Sequence, residues 1–301
     1  MTGGVVGLAV VAVLLGASRG AAQPRLVGPF PKDEYPQAVI DRPLTLPAGM
    51  VEGELGATFS SVRFPELDPF IVNGIDEWTT DVTLRVGVTD RIQLETGTAF
   101  SIDYEQRGDR GFQGIDNDLR PSLASWKHVV PVRLSVLALD TEALDTAVSL
   151  TVPFTAHVSR TLFFRKRAPV KIENTRGHVI PEVDLEAPTR WRLTDWLWLR
   201  AGENLFAVST DDVFAAFAFE FGIGVQPHPM FAMTLDTRIA AVAFNGTGDS
   251  VSETLADRGT IDLEGTFAPC RWFDFVGEMA LPNVGVGFDD WATRMAVRVR
   301  F

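Results

Sequence analysis

The carboxyl-terminal stretch, residues 291–301, alternates between two kinds of side chain. The mainly apolar parity carries Trp291, Thr293, Met295, Val297, Val299 and Phe301. The other parity carries Arg294, Arg298 and Arg300. A period of two residues is typical of a β-strand with two different faces. An arginine-rich face cannot lie on an ordinary hydrophobic core, but it can face a water-filled barrel lumen while the apolar face meets lipid.

The same alternation recurs along the chain from Val51 onward. Short joins, such as residues 89–91 and 193–195, alternate with longer polar connections, such as residues 159–177 and 245–258. We count about twelve strands, an even number of the kind found in bacterial outer-membrane barrels. Ten or fourteen strands also satisfy the pattern, because residues 119–139 are interrupted by Pro121 and Pro131 and can be divided in more than one way.

These features predict an all-β fold: a transmembrane, antiparallel, up-and-down β-barrel of about twelve strands, with both termini periplasmic. A soluble β-sandwich or a lipocalin-like barrel also alternates, with its apolar side chains inside. The phenylalanine-rich apolar face, the strand length and the terminal phenylalanine favour the membrane barrel. The expected location is the outer membrane of a Gram-negative bacterium.

The beginning of the chain has a different character. Val5 to Leu15 form a continuous apolar run, and Gly20 and Ala22 supply the small residues of a cleavage site, which predicts a signal peptide over residues 1–22. Residues 1–4 lack the usual positive charge, so an uncleaved anchor helix is the alternative. Residues 23–48 contain six prolines and predict an extended periplasmic lead-in, or a partial plug folded into the barrel. Residues 49–301 are expected to form the barrel.

Composition excludes several classes of function. The formal net charge of -12 argues against a nucleic-acid surface, because phosphate binding needs clustered lysine and arginine. The single cysteine, Cys270, excludes an intramolecular disulfide and a cysteine-rich metal site. We expect no cofactor and no bound metal.

The predicted inward parity carries thirteen acidic and six basic side chains, so an open lumen would prefer neutral or cationic solutes. This candidate lumen network consists of Glu52, Glu54, Asp81, Arg85, Glu95, Glu182, Asp184, Glu186, Arg200, Glu220, Asp236, Arg238, Asp262, Glu264, Asp274, Glu278, Arg294, Arg298 and Arg300. Closing the barrel makes the first and last strands neighbours, which predicts pairing of Glu52 and Glu54 with the terminal arginines. Arg200 is expected to pair with Asp184 or Glu186. Such charges could set the selectivity of a pore, or fill a narrow lumen with a ladder of salt bridges.

Two further sets of residues carry expectations. Trp198 lies on the inward parity, where it could stack on a ring-bearing solute or pack on the stem of Arg200. Val297, Val299 and Phe301 end the last strand and are expected to be recognised by the outer-membrane assembly machinery. Outer-membrane lipid and lipopolysaccharide are the expected partners of the apolar face.

Catalysis has one weak sequence signal. His157 and Ser159 have the spacing seen in outer-membrane phospholipases, but Arg160 and Thr161 follow where that family has Asn-Gly. A nucleophile also needs a base and an orienting partner within hydrogen-bond reach. We therefore expect a protein that is not an enzyme, with a lipase as a remote alternative.

The stretch Asp41-Arg-Pro-Leu-Thr-Leu-Pro-Ala-Gly-Met-Val-Glu52, followed by turns of the Gly-Val-Thr-Asp-Arg type, resembles a group of bacterial outer-membrane barrels related to the meta-pathway phenol-degradation transporter family. The resemblance implies passive transport of small molecules, aromatic ones included. It brings no catalytic residues. The alternative is a structural or interaction barrel whose lumen is blocked by salt bridges.

Overall fold

The computed structural model describes residues 31–63, 72–107, 119–165, 168–202, 206–209, 214–244, 260–282 and 291–301. These residues form one closed, antiparallel barrel of twelve strands, which confirms the predicted fold class and strand count. Within these ranges, no helix is both long enough and apolar enough to cross a membrane.

Fourteen strand segments build the barrel wall. They are β1 (Val51–Arg63), β2 (Val72–Thr89), β3 (Ile92–Arg107), β4 (Leu119–Asp140), β5 (Leu144–Arg165), β6 (Ala168–Glu186), β7 (Thr189–Arg192), β8 (Leu197–Ala201), β9 (Phe206–Ser209), β10 (Phe214–His228), β11 (Phe231–Phe244), β12 (Thr260–Cys270), β13 (Phe273–Pro282) and β14 (Trp291–Arg300). The segment before β1 contains two short 3-10 turns, Lys32–Glu34 and Val39–Asp41.

Two pairs of segments each form one strand of the barrel. β6 and β7 both pair with β5, and β8 and β9 both pair with β10. The breaks lie side by side, because the N–H of Ala187 donates to the carbonyl of Gly202 over 2.8 Å. Pro188 has no N–H for the ladder, and Gly202 has a φ of 85° that favours glycine. The ladder is interrupted here, but the segments on both sides of the break stay paired with β5 and β10.

The barrel closes between its first and last strands. β14 pairs with β1 along its whole length, with Glu52 opposite Arg300 and Ser61 opposite Trp291. The ladder reaches the last residue, since the backbones of Val51 and Phe301 exchange two hydrogen bonds of 2.9 Å.

The outer face of the wall is apolar. Met295 is 77% exposed, Phe301 62% and Leu55 57%, values that would be costly in water and are expected of side chains in contact with lipid. Phe59 lies within 5.0 Å of Trp78 and 5.2 Å of Trp291, measured between ring centroids, at the end with the longer connections. Phe273 and Phe275 lie 4.7 Å apart at the short-turn end. Ten residue steps of about 3.3 Å, in a strand tilted by about 40°, span roughly the 25 Å of an apolar membrane band.

The structure corrects one expected loop and resolves an ambiguous stretch. Residues 159–177 were expected to form a connection, but residues 159–165 continue β5 and residues 168–177 belong to β6.

The stretch with Pro121 and Pro131 lies within the single strand β4. Pro131 stands opposite Pro153 of β5, and the β3–β4 ladder is interrupted between Val129 and Val132. Proline lacks an N–H, so Pro121 and Pro131 interrupt the period-two sequence pattern of β4 without ending the strand.

Candidate functional site

The inward face carries most of the charged side chains singled out in the sequence. Burial alternates with exposure along the strands and places on this face Glu52, Glu54, Asp81, Arg85, Glu95, Asp184, Glu186, Arg200, Glu220, Asp236, Asp262, Glu264, Asp274, Glu278, Arg294, Arg298 and Arg300. Glu182 and Arg238 lie in β6 and β11, but their side chains fall outside the described set, as do those of His157 and Ser159. Residues 1–30, with the expected signal peptide, also lie outside the described residues.

At the junction of the first and last strands, Arg85 of β2 holds three carboxylates. Its guanidinium contacts Glu52 at 2.6 Å, Glu54 at 3.0 Å and Glu95 at 2.7 Å. Glu52 also pairs with Arg300 at 2.6 Å. Both glutamates of β1 are buried, so each charge depends on these partners rather than on water.

A second group of ion pairs lies farther along the same seam, around Arg294 of β14. Arg294 contacts Glu54, Asp81 at 2.8 Å and Glu278 at 3.0 Å. These contacts connect β1, β2, β13 and β14. The seam between Glu54 and Arg294 is therefore charged but internally compensated.

Arg200 has a partner different from the expected ones. Instead of Asp184 or Glu186, Arg200 of β8 contacts Asp236 of β11 at 3.3 Å. Glu186 pairs with Arg133 of β4 at 2.5 Å. The strand register explains the difference, because Arg200 of β8 stands opposite Arg190 and Gly222, whereas Asp184 of β6 stands opposite Ala207 of β9.

Residues 31–50 lie across the barrel at its short-turn end. The N–H of Leu46 donates to Oε1 of Gln93 in β3 over 2.9 Å, and Nε2 of Gln37 donates to the carbonyl of Ala268 in β12 over 2.9 Å. The segment therefore contacts widely separated parts of the wall. We call residues 31–50 the crossing segment.

The crossing segment passes close to the backbone of β2 at Gly87. The N–H of Gly49 donates to the carbonyl of Gly87 over 2.7 Å, and the N–H of Gly87 donates to the carbonyl of Met50 over 2.9 Å. A Cβ atom at Gly87 would lie 2.0 Å from the carbonyl oxygen of Pro47. Only glycine fits this position without displacing the segment.

Replacing Gly87 with alanine is expected to loosen the crossing segment while the barrel stays folded. The added methyl must push Pro47 away from β2, which breaks the backbone pairing with Gly49 and Met50. Limited proteolysis of the folded protein should cut within residues 31–50 at least about fivefold faster, in proportion to the population of the open form. Gly277→Ala is the matched control, because its Cβ meets no atom within 4 Å. Equal cleavage rates in the two variants would contradict this role of Gly87.

One buried carboxylate ties the crossing segment to the seam. Asp274 of β13 is fully buried between Arg42 of the crossing segment, at 2.6 Å, and Arg300 of β14, at 2.5 Å. Tyr35 lies below both guanidinium groups, with ring centroid distances of 5.8 and 5.4 Å. Burial raises the pKa of the Tyr35 phenol, and the two arginines only partly offset this effect.

A second buried carboxylate organises the opposite wall. Asp145 of β5 holds Arg190, at 2.8 Å, and Arg192 of β7. The two arginines donate in turn to backbone carbonyls of the crossing segment, Arg190 to Val39 over 3.0 Å and Arg192 to Ile40 over 2.9 Å. Guanidinium groups thus hold the segment by its backbone as well as by side chains.

Trp198 is almost completely buried. It is 2% exposed and packs on Ile40 of the crossing segment and Ala232 of β11. The sequence pattern identified Trp198 as an inward-facing residue but did not predict that Ile40 packs on it. Gln93, Asp145, Arg190 and Gln226 were missed, although each lies on an inward parity and thereby offered a signal.

Side chains of β1, β8 and β10 to β14 line a lumen cavity of about 320 Å³. Its inward-facing lining includes five carboxylates and two arginines, namely Glu220, Asp236, Asp262, Glu264, Glu278, Arg200 and Arg294. This cavity is wide enough for several waters or one small solute. Within the described residues, no group of three or more histidine, cysteine or acidic side chains is placed to hold a metal ion.

The closed twelve-stranded wall, its polar inside and its apolar outside are those of an outer-membrane β-barrel. No family model matches the sequence, and no curated protein matches it. Among solved structures, an outer-membrane channel from Pseudomonas putida F1 matches with a TM-score of 0.54 and 11% identity, over 85% of this chain and 97% of that one. The transport unit of the autotransporter AIDA-I from Escherichia coli matches with a TM-score of 0.51 and 9% identity, over 98% of each chain. At these identities, the likeness concerns the fold.

Proposed function

We propose that this protein is a passive channel of the Gram-negative outer membrane for small solutes, with its periplasmic side at the short turns. The observation that carries the proposal is the polar cavity of about 320 Å³ inside a closed barrel. A barrel that served only as a scaffold has no need of a water-accessible interior. The fold shared with an outer-membrane channel from Pseudomonas putida F1 is compatible with this function.

The charge of the cavity supports a preference for neutral or cationic solutes. Five carboxylates and two arginines line it, so its inward-facing ionisable groups carry a net negative charge. The low dielectric of the wall strengthens this potential along the path of a solute. The aromatic solute class implied by the sequence resemblance is part of the proposal.

The outer surface has its own proposed partners. Lipid and lipopolysaccharide would contact the exposed apolar side chains between the two groups of aromatic residues. Val297 and Val299 lie on the lipid side of β14, ahead of the exposed Phe301. We assign these three residues to recognition by the assembly machinery.

A second candidate function is a structural barrel that transports nothing. The observation in its favour is the crossing segment, which joins β2, β3, β7, β10, β12 and β13 through hydrogen bonds or ion pairs at the short-turn end. Recordings in planar bilayers separate the two candidates. Conductance from the purified, unaltered protein supports the channel, whereas conductance only after removal of residues 32–48, or from neither protein, supports the structural barrel.

Neutralising two carboxylates of the cavity is expected to reduce its cation preference. The variant Asp236→Asn with Glu264→Gln removes two carboxylates that lie within 4.0 Å of Arg200, so that the charge of Arg200 would then act against cations. The reversal potential in a KCl gradient should show the permeability ratio of K⁺ to Cl⁻ falling by about threefold or more. Glu142→Gln with Asp195→Asn is the control, because both groups lie in exposed turns. An unchanged ratio in the cavity variant would show that the permeation path lies elsewhere.

A further inference from the structure

The wall beneath Ile40 has the features of a binding site rather than of a simple sealing surface. The Trp198 ring lies flat against β10, where Gly224 stands opposite it in the ladder. A Cβ atom at Gly224 would lie 1.9 Å from Cε2 of this ring. One face of the indole therefore covers backbone, and the other is presented to the lumen.

Ile40 occupies this lumen-side face through its side chain. Ile40 is 1% exposed, Trp198 2% and Ala232 2%, and the three form one apolar cluster. The cluster stands on an inward face that is otherwise mostly polar and charged. It therefore provides one apolar compartment of roughly a side chain's size within a wet lumen.

The backbone of Ile40 is held as tightly as its side chain. Its N–H donates to Oε1 of Gln226 over 2.9 Å, and its carbonyl accepts from Nε of Arg192 over 2.9 Å. Gln226 is oriented for this task, because its Nε2 donates to the turn carbonyls of His228 and Pro229 over 3.3 and 3.0 Å. Arg192 is oriented by the buried Asp145. The wall thus supplies one apolar pocket, one acceptor and one cationic donor, all pre-positioned.

We propose that Trp198, Ala232, Gln226 and Arg192 form a solute-binding site that Ile40 occupies as an internal ligand. The site takes a small, uncharged amide with a branched or ring-shaped apolar group, since that is the chemistry of the unit it now holds. Such a solute competes with Ile40 and so shifts the crossing segment away from the wall. The role of this site in transport rests on the proposed channel function, but binding of the solute does not depend on conductance.

The test uses the full-length folded protein in detergent and N-acetyl-isoleucinamide as the probe, with binding measured by equilibrium dialysis. Ile40→Ala empties the pocket without removing the segment, and we expect its affinity for the probe to exceed that of the unaltered protein by about tenfold or more. N-acetyl-glycinamide, which lacks the apolar group, should bind to neither protein. Adding Trp198→Ala to Ile40→Ala should abolish probe binding, with Trp198→Leu as a second variant if the first fails to give a heat-modifiable folded band.

Leu46→Ala is the matched control for a general loosening of the segment. Leu46 is 4% exposed and packs with Tyr35 and Met50 in a separate cluster, so its truncation leaves Ile40 in place. A gain in affinity equal to that of Ile40→Ala would overturn the assignment of the pocket to Ile40. Unchanged affinity in Ile40→Ala would overturn the site even if the protein conducts. Probe binding by a protein that conducts in no form would support the site and reject the channel.

Discussion

Removing residues 32–48 is expected to raise the single-channel conductance by about tenfold or more, because these residues lie across the short-turn end of the lumen. The barrel should remain folded, since β1 begins at Val51 and pairs with β2 and β14 through its own backbone. Asp274 would keep Arg300 as a partner after losing Arg42. Planar-bilayer recording of the purified deletion protein measures the effect.

A substitution of the same length separates blockage from mere chain volume. When residues 32–48 are replaced by glycine and serine, the chain still has to reach β1 but no longer contacts Gln93, Asp274 or Trp198. We expect an intermediate, noisier conductance, since an untethered segment enters and leaves the lumen. If the deletion protein conducts no better than the unaltered protein, the narrowest point of the lumen lies outside the crossing segment.

The seam shows how far a period-two pattern can reach. The last strand and the first must adjoin in a closed barrel, and the parity of Glu52 and Arg300 then places both on the inner face. Register within that seam depends only on the extended backbone, which is paired up to Phe301. For these reasons, the opposition of acidic and basic side chains followed from the sequence.

The partner of Arg200 shows where the same reasoning stops. Assigning a partner requires the register of β8, which places Arg200 opposite Arg190, whereas Asp184 lies farther along the wall opposite Ala207. Residues 159–177 were misassigned for a different reason. A strand that extends beyond the lipid meets water on both faces, so its outer parity need not be apolar and resembles a loop in sequence.

The position of the crossing segment was beyond the reach of periodicity. Six prolines in residues 23–48 remove any alternating pattern, so the sequence left open whether this stretch lies outside the barrel or within it. Its contacts join Ile40 to Trp198 and Arg42 to Asp274, pairs far apart in the chain. Only the folded wall brings these partners together, which is why Asp145 and Gln226 had no recognisable role beforehand.

Reversing the two glutamates of β1 is expected to prevent assembly of the barrel. In Glu52→Lys with Glu54→Lys, two buried lysines would face Arg85, Arg298 and Arg300, and each broken buried pair costs about 3 to 5 kcal/mol. A membrane barrel can leave no edge strand unpaired, so this cost opposes the pairing of β1 with β14 that closes the barrel. The heat-modifiable folded band on a gel should be almost absent.

The control and the rescue variant make this result specific to the seam. Glu142→Lys with Asp195→Lys changes the net charge equally but lies in exposed turns, and it should assemble normally. Adding Arg298→Glu and Arg300→Glu to the lysine variant should restore the folded band only in part. Arg85 still faces the new lysines, and the carboxylate introduced at position 300 would stand beside Asp274, whose remaining partner is Arg42. Normal assembly of the double-lysine protein would show that these ion pairs contribute little to closure, which would then depend on the backbone ladder alone.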